Sequence, residues 1–282
     1  MKKIILLILL LSGMVWASFN LLAYEEIRAL ELNTGGINSM EIEAGAGFIN
    51  INGVKGLEKI KVKALININA AENEVEEILN DYLDLTLEKR GSKANLKSTL
   101  DGSGSFLDFL FGITFDGHID LYIDVPYDIA IKLDDGSGDI NIEGLNGGVK
   151  LDIDDGSGDI DIINFQGILK IDDGSGDIDI EYSNCNIDID DGSGDIYIED
   201  CSGKVIINDG SGAIDIYDIN GDIDLYDASG VINIGRINGS VYINDGSGDI
   251  NIHDVFGDLE IPESGSGDVN FSNVEGTVIS YD

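Results

Sequence analysis

Beyond residue 134 aliphatic residues recur two apart with polar residues between them, as in Ile140 and Ile142, then Val149, Leu151 and Ile153. That period marks a strand with one face buried. The pattern restarts after a glycine-rich turn: DDGSGDINI from Asp134, DDGSGDIDI from Asp154 and Asp172, DDGSGDIYI from Asp190, NDGSGAIDI from Asn208, YDASGVINI from Tyr226, NDGSGDINI from Asn244 and ESGSGDVNF from Glu263. These eight starts are separated by 20, 18, 18, 18, 18, 18 and 19 residues. Each period holds two short strands, one after the turn (Ile160 and Ile162) and one before the next (Leu169 and Ile171). Such a unit cannot bury its own apolar edge and must stack on its neighbours. The expected fold is all-β: a parallel β-solenoid (β-helix) with two short strands per coil and eight coils over residues 134–282. Coils stack about 4.8 Å apart, with isoleucines inward and carboxylates outward.

The turn has its own chemistry. Glycines flank Ser137, Ser157, Ser175, Ser193, Ser211 and Ser247, and a reversal in every coil calls for backbone angles that other residues resist. Ala228 replaces the first glycine once, whereas the second is present in all eight units, so the second is the stricter requirement. Aspartates beside the turn, including Asp135, Asp155, Asp173 and Asp191, are placed to accept amide N–H groups in Asx-type caps.

Residues 24–133 depart from the array and read as a β-rich cap. The phrase GAGFININGVKG, Gly45 to Gly56, resembles a degenerate first coil. Residues 71–82 break the strand pattern: Val75, Ile78, Leu79 and Tyr82 share one side at helical spacing, which predicts a short amphipathic helix. The aromatic stretch SGSFLDFLFG, Ser103 to Gly112, is read as a cover for the solenoid end in preference to a binding loop. Residues 1–23 read as a signal peptide cleaved after Ala17 or Ala23, from Lys2 and Lys3, the apolar run Ile4 to Leu11 and small residues thereafter; an uncleaved anchor is the alternative. Cleavage leaves an exported chain with no transmembrane domain.

The strand–helix–strand order around AENEVEEIL, followed by IDLYIDVPYDIAIKLDDGSGDINI with Val125 and Pro126 and then recurring SGDI turns from Ser137 to Ile140, resembles the bacterial family with DUF4097-type β-strand repeats, labelled adhesin-like. The resemblance covers nearly all of the exported chain. Ala213 and Val231 depart from it, because the turn aspartate is missing there. It implies an adhesin-like module of the cell envelope or surface and specifies no activity.

Charge narrows the partners. Fifty-four acids against 16 bases give a formal charge of −38, the wrong sign for nucleic acid. A 43% hydrophobic content argues against disorder. A motif repeated in eight near-equivalent places is a poor catalytic centre, GSGDIN lacks the third glycine of a dinucleotide fingerprint, and no P-loop Lys-Ser or Lys-Thr pair follows it. His118 and His253 lie in no nucleophile motif and read as surface or cap residues; the array offers only Lys150, Lys170, Lys204 and Arg236 as bases. No catalytic residues and no bound cofactor are therefore expected, and a carbohydrate-active β-helix enzyme ranks lowest.

Calcium is the sharper alternative. Stacking lines up Asp139, Asp159, Asp177 and Asp195 in one ladder and Asp135, Asp155, Asp173 and Asp191 in another, and rows of carboxylates suit Ca²⁺. Capped turns with loosely held counterions compete with that reading, as does adaptation to high salt. Cys185 and Cys201 fall on adjacent coils with a two-residue offset; a disulfide and a pair of half-buried free thiols both remain open. The sequence thus points to a non-enzymatic exported module in the periplasm, on the cell surface or in the medium. Its partner is an envelope or surface ligand, protein or polysaccharide.

Overall fold

The computed structural model describes residues 21–100 and 115–281. Most of the segment read as a signal peptide and the whole aromatic stretch Ser103 to Gly112 lie outside the described residues. The rest is a parallel β-solenoid of about eight turns, built from two twelve-stranded sheets, with one short helix.

Consecutive copies of the repeat stack parallel and in register. In the first sheet Ile160, Ile178, Ile196, Ile214, Ile232 and Ile250 pair in succession. In the second, Ile153, Ile171, Ile189, Ile207, Leu225 and Ile243 do the same. These ladders are almost wholly buried and face one another between the sheets. The order follows from the period of two: one parity of each strand is β-branched or aliphatic, and only stacking on the next coil removes it from water. At about 25 cal/mol per Å² of apolar surface, burying each isoleucine contributes roughly 1.5–3 kcal/mol.

The second turn glycine is the tighter one. In Gly194 a Cβ would lie 1.7 Å from the Gly176 carbonyl oxygen and φ is +153°, whereas in the first glycine, Gly192, the nearest atom would be at 2.5 Å with no positive φ. The opposite corner of the coil was not apparent in the sequence. There Asn164, Tyr182, Asp200, Asp218, Arg236, Asp254 and Asn273 all adopt left-handed angles, φ 52–60°. Asn and Asp tolerate that region, Tyr and Arg much less.

The N-terminal part is threaded out of chain order. Strands β1 (Leu21–Asn33), β2 (Ser39–Ala46), β3 (Ile49–Val54) and β4 (Lys59–Ala71) precede α1 (Val75–Asp81). Then come β5 (Leu83–Arg90), β6 (Lys93–Leu100), β7 (Asp116–Pro126), β8 (Ala130–Ser137) and β9 (Ile140–Glu143). The phrase from Gly45 forms a true coil: β2 pairs with β8 and β3 with β9, all parallel. Its other side is taken by β6 and β7, so the chain passes over the β2–β3 coil before resuming at β8. Beyond them β4 and β1 extend one sheet antiparallel and β5 extends the other. Helix α1 buries Val75 and Ile78, with Leu79 and Tyr82 packed at the core margin, as its spacing predicts. Residues 133 and 134 lie together inside β8, and both sheets continue from the N-terminal strands into the array, through β2 to β8 in one and β3 to β9 in the other.

Candidate functional site

In a repeat, a position that departs from its own column is where a function specific to this chain has room to reside. One outward column of the first sheet runs Asp161, Asp179, Tyr197, Asp215, Asn233, Asn251 and Asn270. The next outward column runs Ile163, Glu181, Glu199, Tyr217, Gly235, His253 and Ser272. Three rings therefore stand close on one face. Tyr197 and Tyr217 have centroids 6.5 Å apart, and Tyr217 and His253 are 6.3 Å apart with 31° between their planes. Gly235 makes this possible: a Cβ there would lie 2.3 Å from the His253 ring. The column beside them continues as a side-chain ladder in which Asn233 donates to Asp215, Asn251 to Asn233 and Asn270 to Asn251, at 2.8–3.2 Å.

Arg236 completes the patch and carries backbone strain, with φ of 60°. Its guanidinium donates to both carboxylate oxygens of Asp218, lies 3.5 Å from Glu199 and sits 5.1 Å from the Tyr217 ring centroid. A cation over a ring face is attracted to the ring's negative surface. The hydrogen bond from Arg236 holds the Asp218 carboxyl below its usual range. The Tyr197 hydroxyl donates to Glu199 at 2.7 Å, which, with some burial, pushes that phenol well above its ordinary value. His253 Nδ1 lies 2.9 Å from Asp254. Asp254 is held low by the amide of Asn273 first and by His253 second. The result is a preorganised aromatic and polar surface with one cation, which suits recognition.

The aspartates of the repeat separate into two environments, and here the expectation of outward carboxylates is corrected. Asp155 lies two residues after Ile153, so the period of two turns it inward. Asp135, Asp155, Asp173, Asp191, Asp209, Asp227 and Asp245 form a single row along the solenoid, each 0–6% exposed. In Asp173, Asp191, Asp209, Asp227 and Asp245 one oxygen accepts the N–H of the serine two residues on, at 2.9–3.3 Å, which is the expected Asx cap. The other oxygen of each, and both oxygens of Asp135 and Asp155, are buried without a partner. Two ionised carboxylates at coil spacing repel by about 3–4 kcal/mol at an effective dielectric near 20. Burial first, then neighbouring aspartates and opposing backbone amides, place Asp135 and Asp191 at about 7 and Asp155, Asp227 and Asp245 at about 6.

The second row is exposed and anchored differently. Asp139, Asp159, Asp177 and Asp195 accept the backbone N–H of Asp159, Asp177, Asp195 and Ala213, each from the next coil, at 2.8–3.3 Å. A backbone dipole thus compensates each of these charges. Among the described residues no group of three or more His, Cys, Asp or Glu side chains is disposed to hold a metal ion.

Cys185 and Cys201 are buried free thiols, pushed up to about 12 and about 11, chiefly by burial. Cys201 stands in the inward column between Ser183 and Ile219 and donates to the Glu199 carbonyl at 3.2 Å. Cys185 stands beside Gly167 of the preceding coil. His118 lies apart on β7, 3.1 Å from the Asn67 amide. The aromatic patch was missed in the sequence; registering the copies at their 18-residue period exposes Tyr197, Tyr217, Gly235, Arg236 and His253 as the odd members.

No family model and no curated protein matches the chain. Solved structures to which it is similar include a candidate cell adhesion protein from Clostridium sporogenes, 15% identical over 89% of this chain and 100% of that one, with a TM-score of 0.36. A candidate adhesin from Parabacteroides distasonis is 12% identical over 88% and 97%, with a TM-score of 0.39. Another, from Bacteroides fragilis, is 12% identical over 91% and 97%, with a TM-score of 0.30. Among the described residues no helix is long and apolar enough to cross a membrane.

Proposed function

We propose that the chain is a non-enzymatic, exported, adhesin-like module of the cell envelope or surface. It binds an external ligand through the face formed by Tyr197, Tyr217, Arg236 and His253. The observation that carries this reading is the coincidence, on one sheet face, of three close rings, a glycine notch and an arginine set against the Tyr217 ring. Flat ring faces beside a ladder of amides fit the apolar faces and hydroxyls of a polysaccharide, and a neutral glycan avoids the repulsion this acidic rod exerts on anions.

The test is a glycan array followed by titration of the best binder with wild-type protein and with Tyr217→Ala. A loss of tenfold or more in affinity, with the melting temperature unchanged within a few degrees, supports the reading. Equal binding by both proteins rejects this face as the site, and turnover of the glycan into product rejects the non-enzymatic reading. A calcium-stabilised solenoid is the second reading; what favours it is the set of unpartnered oxygens in the buried aspartate row.

A further inference from the structure

The inward row of seven aspartates has no counterpart in an ordinary core, where buried polar groups find partners. Its members occupy equivalent positions in successive parallel strands, so each carboxyl faces one on either side, except at the ends. On the N-terminal side the column continues as Ala44 and then Ser98, which carry no charge. The charged groups that bear on the row from its own strands and from the turns packed against it are acids: Asp134 and Asp172 beside it, and Asp139, Asp159 and Asp195 across the turn. Inward, the same strands present Leu133, Ile153, Ile171, Ile189, Ile207, Leu225 and Ile243. A second, independent observation points to a ligand: the inner oxygens of these residues, each more than nine-tenths buried, meet no donor.

We propose that the row is a proton-binding ladder, in which carboxylic acid and carboxylate groups on adjacent coils share protons and so clamp the coils together. A protonated carboxyl donates its O–H to the unpartnered oxygen of the next coil. That one transfer removes a like-charge contact and gives an orphaned acceptor its hydrogen bond. No metal cage is required, and the serine amide on the outer oxygen leaves the inner oxygen free for the shared proton.

The sign of the pH dependence follows from linkage. The folded values, about 6 to about 7 where large, stand above the ordinary 3.8, so between those limits the folded protein holds more protons than the unfolded chain. The ladder's stabilisation is complete below about pH 4 and is lost as the pH rises through 7.

The test measures melting temperature from pH 5 to pH 8.5 for the wild type and two triple variants. Asp155→Asn/Asp191→Asn/Asp227→Asn replaces alternate members of the row by neutral groups that still donate and accept. Asp159→Asn/Asp177→Asn/Asp195→Asn removes the same number of charges from the exposed row. The wild type is expected to lose roughly 5–10 °C between pH 5 and pH 8. The inner-row variant should melt higher than wild type at pH 8 with a flattened profile, and the outer-row variant should keep the wild-type slope. Infrared spectra of the wild type at neutral pH should contain the carbonyl band of an un-ionised carboxylic acid, which disappears on alkaline titration. If that band is absent at neutral pH, or the folded inner-row variant keeps the full slope, the proposal falls. A rise in wild-type melting temperature with millimolar CaCl₂ at pH 8, absent from the inner-row variant, overturns it in favour of a cation row.

Discussion

The two ends of this molecule solve the same problem by different means. Residues 134–282 carry 35 acids and 4 bases, a net of −31, whereas residues 1–133 carry 19 acids and 12 bases, a net of −7, which together make −38. In the array, equivalent positions stack coil on coil, so the turn aspartates meet their own kind at coil spacing, and opposite charges face each other only at scattered substitutions such as Lys170 between Asp152 and Asp188 and Arg236 on Asp218. Hydrogen bonds to backbone amides compensate the outer row, and burial raises the inner one. In the N-terminal part, different sequences face one another, and opposite charges pair across strands: Lys59 with Glu31 at 2.6 Å, Lys97 with Glu43 at 2.9 Å, and Lys93 with Glu41. The antiparallel β1, β4 and β5 end the stack there with strands that no further copy of the repeat continues. Repetition makes a rod easy to extend and hard to neutralise; variety makes an end that stops.

The largest effect that separates the two regions concerns glycine. Gly194→Ala in the array should cost 3 kcal/mol or more, because its Cβ would meet the Gly176 carbonyl at 1.7 Å with no room to move. Gly91→Ala, in the tight turn between β5 and β6, meets nothing within 4 Å and should cost only about 1 kcal/mol, from its φ of +65°. Urea denaturation of both variants reads the difference; equal losses would mean that coil stacking is looser than the register implies.

A smaller effect of opposite sign is expected at the non-glycine corner. Tyr182 is 56% exposed with φ of 52°, so Tyr182→Gly should stabilise by about 1 kcal/mol, seen as a rise in the urea midpoint. The same change at Arg236 should gain less, since it also removes the pairing with Asp218. Smallest of all, Lys59→Ala should change stability by under about 1 kcal/mol and lose even that in high salt, because both partners are half exposed. A larger loss would show that the ion pairs of the N-terminal part do more than decorate its surface.

Much of the architecture was legible because one physical signal was repeated. The period of two in the isoleucines and the 18-residue recurrence of GSG leave parallel stacking as the way to bury every copy. The helix announced itself through Val75 and Ile78, and the stricter second glycine through Ala228 at the first. The same parity rule already placed Asp155 inward, two residues beyond Ile153, but the general expectation that carboxylates face water obscured it. The left-handed corner was hidden for another reason: Tyr182 and Arg236 are residues that local preference steers away from such angles, and only coil closure imposes them.

By itself the sequence determined the repeat, its strands, its inward aliphatic ladders and its charge, since each depends on neighbours a few residues away or on composition alone. Tertiary structure decided which coil sits beside which at the N-terminal end, because a strand from residues 39–46 finds its partners at residues 93–100 and 130–137 by fit between surfaces. It also decided which aspartates lose their water and which odd residues share a face. Both depend on contacts between coils 18 residues apart, where the same amino acid is a surface charge at one side of a turn and a buried acid at the other.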